Sequence, residues 1–330
     1  MKKKTINYIT AFSLLVLAVV GVAWFFGFTP QQSVQEQPSQ SGAGVSAYVP
    51  FQLYEVNLQL RDYYDKVAVP TDGSFVGKVY EKGVSPEQMR DPRTPYVEVL
   101  SPANDFATSG VLTATKTKIL TGNEYKVLVV DENGNYYASI YNMKVPELEA
   151  TQDTYTFGPE YVKRIGNLVG VESVEENSTG VDVQISNGNA IATIDLNNAP
   201  DNPYFTIKFA FENNVAKSVV EDVVIRAVND AQNPMDEDAI DSVKFSLDKG
   251  DSLNIDSDAT SLIRAGQTIK VGDIEDGDRS VYEITIRLDK ALLESGETMY
   301  IYFDDLGDYL GEDANGDTGM TPKYIKIQVA

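Results

Sequence analysis

Between residues 304 and 317 the sequence gathers six carboxylates and an asparagine, Asp304, Asp305, Asp308, Glu312, Asp313, Asn315 and Asp317, with no lysine or arginine among them. Hard cations such as Ca2+ take six to eight oxygen ligands, which clustered carboxylates, an amide and backbone carbonyls on a glycine-containing loop can supply. Asp304, Asp305, Asp308, Asp313, Asn315 and Asp317 are therefore the candidate calcium ligands. The run is not an EF-hand: Asp313, Asn315 and Asp317 have the alternate spacing, but Thr318 replaces the glycine of the sixth loop position and Tyr324 the glutamate of the twelfth. A second acidic run, Asp273, Glu275, Asp276 and Asp278, has the same character. The competing reading of both is a solvated loop that keeps the protein soluble and protects sheet edges.

Other chemistry is sparse. The chain has neither cysteine nor histidine, which removes disulfides, thiolate metal sites, cysteine nucleophiles, the commonest general base and every Ser-His-Asp arrangement. Gly73 and the pair Gly77-Lys78 stand one residue too close for a phosphate loop and lack the following Ser/Thr. Ser246 and Lys249 match Ser-x-x-Lys without any supporting motif. Carboxylate pairs could run glycoside hydrolysis without histidine, yet with 49 acidic residues no pair is singled out. Asn177-Ser178-Thr179 is a glycosylation sequon.

Charge narrows the partners. Lys2, Lys3 and Lys4 precede an apolar run, so the chain beyond them carries 24 basic and 49 acidic residues, a formal charge of −25. Such a surface repels phosphate backbones, which argues against nucleic acid, and suits cations or basic partners.

The elements that position these groups fall into blocks. Residues 8–28 are 21 in a row without a charge, enough at 1.5 Å per residue to cross a hydrocarbon core of about 30 Å. The lysine cluster before them puts the N-terminus in the cytoplasm and the body outside. Gly21, Val22 and Ala23 also fit a signal-peptidase site, but the run is longer than a signal core, and Trp24, Phe25, Phe26 and Phe28 match an interfacial aromatic belt. We therefore read residues 1–28 as a cytoplasmic cluster and transmembrane anchor, and the Gln/Ser/Gly-rich residues 29–47 as a flexible linker.

Beyond the linker, short alternating runs recur between turn signals, the pattern of β-sandwiches. In the first stretch they lie at residues 56–60, 78–80, 97–99, 111–115, 125–130 and 136–141. Asn133-Gly134 predicts a type I′ hairpin, and residues 87–95, with three prolines close by, an irregular loop. The order of residues 56–60, 77–80, 109–112 and 122–127 resembles the transthyretin-like or carboxypeptidase-regulatory type of Ig-like module. That resemblance covers residues 50–146 and implies a β-sandwich that serves as a spacer or binding unit in membrane-anchored surface or virion proteins, with no catalytic residue to carry over.

The expected fold is all-β: a transmembrane helix, an Ig-like sandwich over residues 48–148, and a sandwich region over 149–330. The latter is either one jelly-roll-like domain or two sandwiches split near 229–241. A short helix is expected over 160–168. The functional expectation is a non-catalytic, membrane-anchored extracytoplasmic structural or adhesive protein, with protein or glycan partners and self-assembly within its repertoire. A virion structural protein is the alternative, and a surface carbohydrate-active enzyme the third class.

Overall fold

Alternation in the sequence becomes alternation of burial in three dimensions. The computed structural model describes residues 48–305 and 320–330, and places Tyr48–Ala330 in one compact unit. In chain order, the first module comprises β1 (Glu55–Asp62), β2 (Phe75–Glu81), α1 (Pro86–Arg90), β3 (Glu98–Pro102), α2 (Phe106–Ser109), β4 (Val111–Thr115), β5 (Glu124–Asp131), β6 (Ser139–Lys144) and β7 (Thr154–Val162).

These seven strands form one sheet in the order β6-β5-β2-β3-β4-β1-β7. Leu100 of β3 pairs with Gly77 of β2, whereas Ser101 and Pro102 pair with Thr113 and Leu112 of β4. Strand β3 thus changes partners part-way, the device by which a sheet folds over on itself. Val56, Leu58, Leu60, Leu112, Val127 and Val129 from the two halves share one core. The β-sandwich implied by the resemblance is present.

Three local expectations are corrected. Within 87–95 a single helical turn, α1, forms, because Ser85 and Gln88 cap each other reciprocally and Pro86 occupies the first turn. The Asn133-Gly134 turn is not type I′: of the two residues only Gly134 has a positive φ, since Asp131 draws the loop wider by accepting from the amides of Asn133 (3.1 Å) and Asn135 (2.7 Å). No helix spans 160–168; β7 runs to Val162, and β8 starts at Leu168.

Strand β7 lies beyond residue 148, yet it pairs in parallel with β1 from Glu55↔Thr154 to Asp62↔Val162 and so belongs to the first module's sheet.

The second module comprises β8 (Leu168–Asn177), β9 (Val181–Ser186), β10 (Asn189–Ile194), β11 (Tyr204–Asn213), β12 (Val219–Asn229), β13 (Ile240–Lys249), α3 (Thr260–Arg264), β14 (Ile269–Glu275), β15 (Arg279–Leu288), β16 (Thr298–Asp304) and β17 (Lys323–Val329). They make a six-stranded sheet, β14-β12-β16-β17-β10-β9, and a four-stranded sheet, β13-β15-β11-β8. One core joins the two sheets, with Phe205, Phe209, Phe211, Ile284, Phe303 and Ile325 among its members. Phe209 stacks on Phe303 across it at 3.9 Å between centroids. Met235, Ala239 and Ile240, from the segment between β12 and β13, enter the same core.

The apolar run 8–28 lies outside the described residues; among the described residues no helix is long and apolar enough to cross a membrane.

Candidate functional site

Buried charged and phenolic side chains gather where the modules meet. Between β7 and β8 the chain has five residues, and their backbone is bonded on both sides. Tyr137 N donates to Lys163 O (3.0 Å) and Ile165 N to Asn135 O (2.9 Å), which tie the segment to the first module. Gly166 N donates to Val219 O (2.7 Å) and Val219 N to Arg164 O (3.1 Å), which tie it to the second. Gly166 passes so close to Asn213 that a Cβ there would stand 2.6 Å from its amide nitrogen. Asn213, fully buried, spends that amide on the Ser218 carbonyl and hydroxyl, both at 3.0 Å.

Side chains lock the same joint. Tyr137 of the first module is buried, and its hydroxyl donates to Asp305 Oδ2 at 2.5 Å while accepting from Glu221 N at 3.2 Å. Burial first, then the charge of Asp305, pushes the Tyr137 phenol well above its ordinary range. Lys163 makes an ion pair with Glu221, whose side chain is only 2% exposed, and lies over the Tyr63 ring at 5.1 Å. Tyr64 reaches across to Ser218 O (2.8 Å) and to Glu275. Burial and Glu275 raise its phenol too.

Of the candidate calcium ligands, the structure places two. Asp304 is buried against Arg226, with Nη2 to Oδ2 at 2.9 Å, and accepts from Asp305 N at 3.1 Å. Burial raises its carboxyl and Arg226 opposes that rise. Asp305 is fully buried against Tyr137. Asp308, Asp313, Asn315 and Asp317 lie outside the described residues. In the second acidic run the carboxylates serve the protein itself: Asp273 accepts from Asp222 N (2.8 Å), Asp276 from Lys217 N (2.7 Å) and Asp278 from Glu275 N (3.2 Å). Among the described residues no three acidic side chains gather as a metal cluster would require.

Away from the joint, the six-stranded sheet turns an aromatic face outward. Met299, Ile301 and Phe303 of β16 point into the core, so Tyr300 and Tyr302 point out. Cross-strand register sets Arg226 and Tyr324 beside Tyr302, and Val228 and Lys326 beside Tyr300. The three rings lie 5.5–6.0 Å apart by centroid, with Arg226 over Tyr302 at 5.6 Å and Lys326 over Tyr300 at 5.8 Å. Their hydroxyls have no hydrogen-bond partner among the described residues.

Sequence reasoning did not single out this face or the joint. The face left a local trace: tyrosines occupy the outward phase of a strand whose inward phase is Met-Ile-Phe. The joint left none, because its partners are 58 (Lys163–Glu221) and 168 (Tyr137–Asp305) residues apart in the chain.

No protein-family model matches the chain, and no curated protein matches it. Among solved structures it is similar to the major pilin subunit BcpA of Bacillus cereus, with 13% identity over 83% of this chain and 69% of that one and a TM-score of 0.27. It is similar to the major pilin SpaA of Corynebacterium diphtheriae at 9% identity, over 82% of this chain and 68% of that one, with a TM-score of 0.26. For the C. diphtheriae major pilin SpaD the values are 11%, 84%, 64% and 0.28, so the chain spans under two thirds of that protein. The β-sandwich architecture rests on this chain's own strands, register and cores.

Proposed function

We propose that this chain is a non-catalytic structural or adhesive protein, held in a membrane by residues 8–28 and displaying its two-sandwich body outside the cytoplasm. The observation that carries the reading is the joint. Its buried charges are committed to cohesion: Glu221 to Lys163 and Asp305 to Tyr137 across the modules, with Asp304 held by Arg226 inside the second. A segment bonded along its backbone to both modules transmits position and load instead of swinging as a linker would. Two sandwiches coupled in this way make a stiff spacer, which suits a part that holds a surface at a distance from its anchor. The apolar run and the Lys2, Lys3 and Lys4 cluster before it support the anchoring and the orientation.

The test is protease added to intact cells that produce the protein. Removal of the body without permeabilisation is the expected result. Degradation only after permeabilisation overturns the reading.

A further inference from the structure

We propose that a cavity at the joint is a binding site for a small anionic solute, a sugar that carries a carboxylate or phosphate group. The cavity has a volume of about 450 Å³, inside the range of roughly 300–1,000 Å³ found for small-molecule sites. Its walls come from both modules: Asn135 from the first, Arg164 and Asn167 from the segment between β7 and β8, and Thr321 and Lys323 from the second.

Charge selects the ligand. Beyond Lys4 the chain has 49 acidic residues against 24 basic ones, so a cavity drawn at random from its surface would carry more carboxylates than cations. The groove beside β1 and β4 follows that expectation, with Glu55 and Asp105 and no basic residue in its lining. The joint cavity inverts it: among the described residues Arg164 and Lys323 line it and no carboxylate does. A cation would find no group of opposite charge there, whereas an anion meets two.

Hydrogen-bond capacity agrees. Arg164 makes no side-chain hydrogen bond among the described residues. Its ion-pair partner, Asp72 Oδ2, stands 3.9 Å from Nη2 and is itself 64% exposed, too far for a hydrogen bond and too well solvated for a strong pair. Lys323 Nζ donates to Asn187 O at 3.0 Å, and an ammonium has three donors to place. The planar guanidinium matches two oxygens of a carboxylate or phosphate bidentately, and the ammonium adds a second charge.

The rest of the lining describes the rest of the solute. Asn167 and Thr321 are exposed and offer neutral donors and acceptors, which suit ring hydroxyls, while Ile165 supplies apolar contact for ring C–H groups. No aromatic ring lines the cavity, so a neutral sugar has no face to stack on and the anionic group has to supply the affinity. This goes beyond the structural reading above. A solute seated here touches both modules and the segment between them, so its binding also clamps the joint.

Isothermal titration of the full-length chain in detergent tests the proposal with three probes: glucuronate, glucose 1-phosphate and glucose. One or both anionic sugars should saturate the protein by about 10 mM, ten times a Kd of about 1 mM, and bind at least about tenfold tighter than glucose. Whichever of the two binds tighter identifies the anionic group. Arg164→Gln and Lys323→Gln should each weaken that binding at least about tenfold, the scale of a hydrogen bond to a charged group. Both side chains are partly exposed, so the melting transition should be retained in each variant. Lys244→Gln, on the four-stranded sheet, should bind as wild type does. No saturation by either anionic sugar, glucose bound as tightly as they are, wild-type affinity in either joint variant, or equal weakening by Lys244→Gln overturns the proposal. None of these outcomes touches the display of the body outside the cytoplasm, which the protease experiment reads separately.

Discussion

The hydroxyl of Tyr137, carried by the first sandwich, donates to the fully buried carboxylate of Asp305, carried by the second, at 2.5 Å. A buried acceptor that loses its donor costs about 1–3 kcal/mol. Tyr137→Phe keeps the ring and removes that donor, so it should lower the stability of the body by this amount. The loss should be visible as a reduced denaturation midpoint with the secondary structure unchanged. A midpoint equal to wild type would mean that the contact does not hold the modules together.

The Lys163–Glu221 pair gives a second, independent probe of the joint. Removing one member of a buried pair leaves a charge uncompensated, at about 3–5 kcal/mol, and the 22% exposure of Lys163 places Lys163→Met near the lower end. Replacing both residues, as Lys163→Met with Glu221→Leu, should recover most of the loss. A double variant as unstable as the two single variants summed would show that the side chains act separately.

Acid titration probes Asp304. Burial raises its carboxyl above the ordinary value, so the folded state binds the proton more tightly than the unfolded chain does. Its contribution is therefore fully present below the unfolded carboxylate range and is lost as pH rises through the raised folded value. The stability of wild type relative to Asp304→Asn should fall across that window as pH increases. A difference independent of pH between about 3 and 7 would contradict the assignment of burial as the dominant cause.

Much of the fold was legible because alternation is a local property. The runs in β11, β15, β16 and β17 read directly as strands whose one phase is apolar. Strand β8 was not legible: Glu172, Ser173, Glu175 and Glu176 crowd it with polar residues, and its pairing with β11 shifts register more than once. Asn133-Gly134 misled because the carboxylate of Asp131, not the dipeptide, decides that loop. The joint is a product of tertiary pairing alone, and Asp304 and Asp305 read as cation ligands until Arg226 and Tyr137 arrived beside them.

We propose from the sequence that the run 304–317 binds calcium. Since Asp304 and Asp305 serve Arg226 and Tyr137, the response to the ion should depend on the later carboxylates. Millimolar calcium should raise the melting temperature by several degrees at matched ionic strength, an ion at 100 times its Kd contributing about 2.7 kcal/mol. Asp313→Asn with Asp317→Asn should remove that rise. Identical melting in calcium and in chelator would leave the run a solvated loop.

Two sandwiches that behave as one body share their protection from solvent, and amide hydrogen exchange of the full-length chain in detergent reads this at single residues. Ile165, Gly166, Tyr137 and Val219, whose amides bridge the segment between β7 and β8 to its neighbours, should exchange as slowly as the central amides of β11 and β15, by global unfolding alone. Exchange of those four at the rate of an exposed linker, while β11 and β15 stay protected, would show two sandwiches on a hinge and contradict a single stiff body.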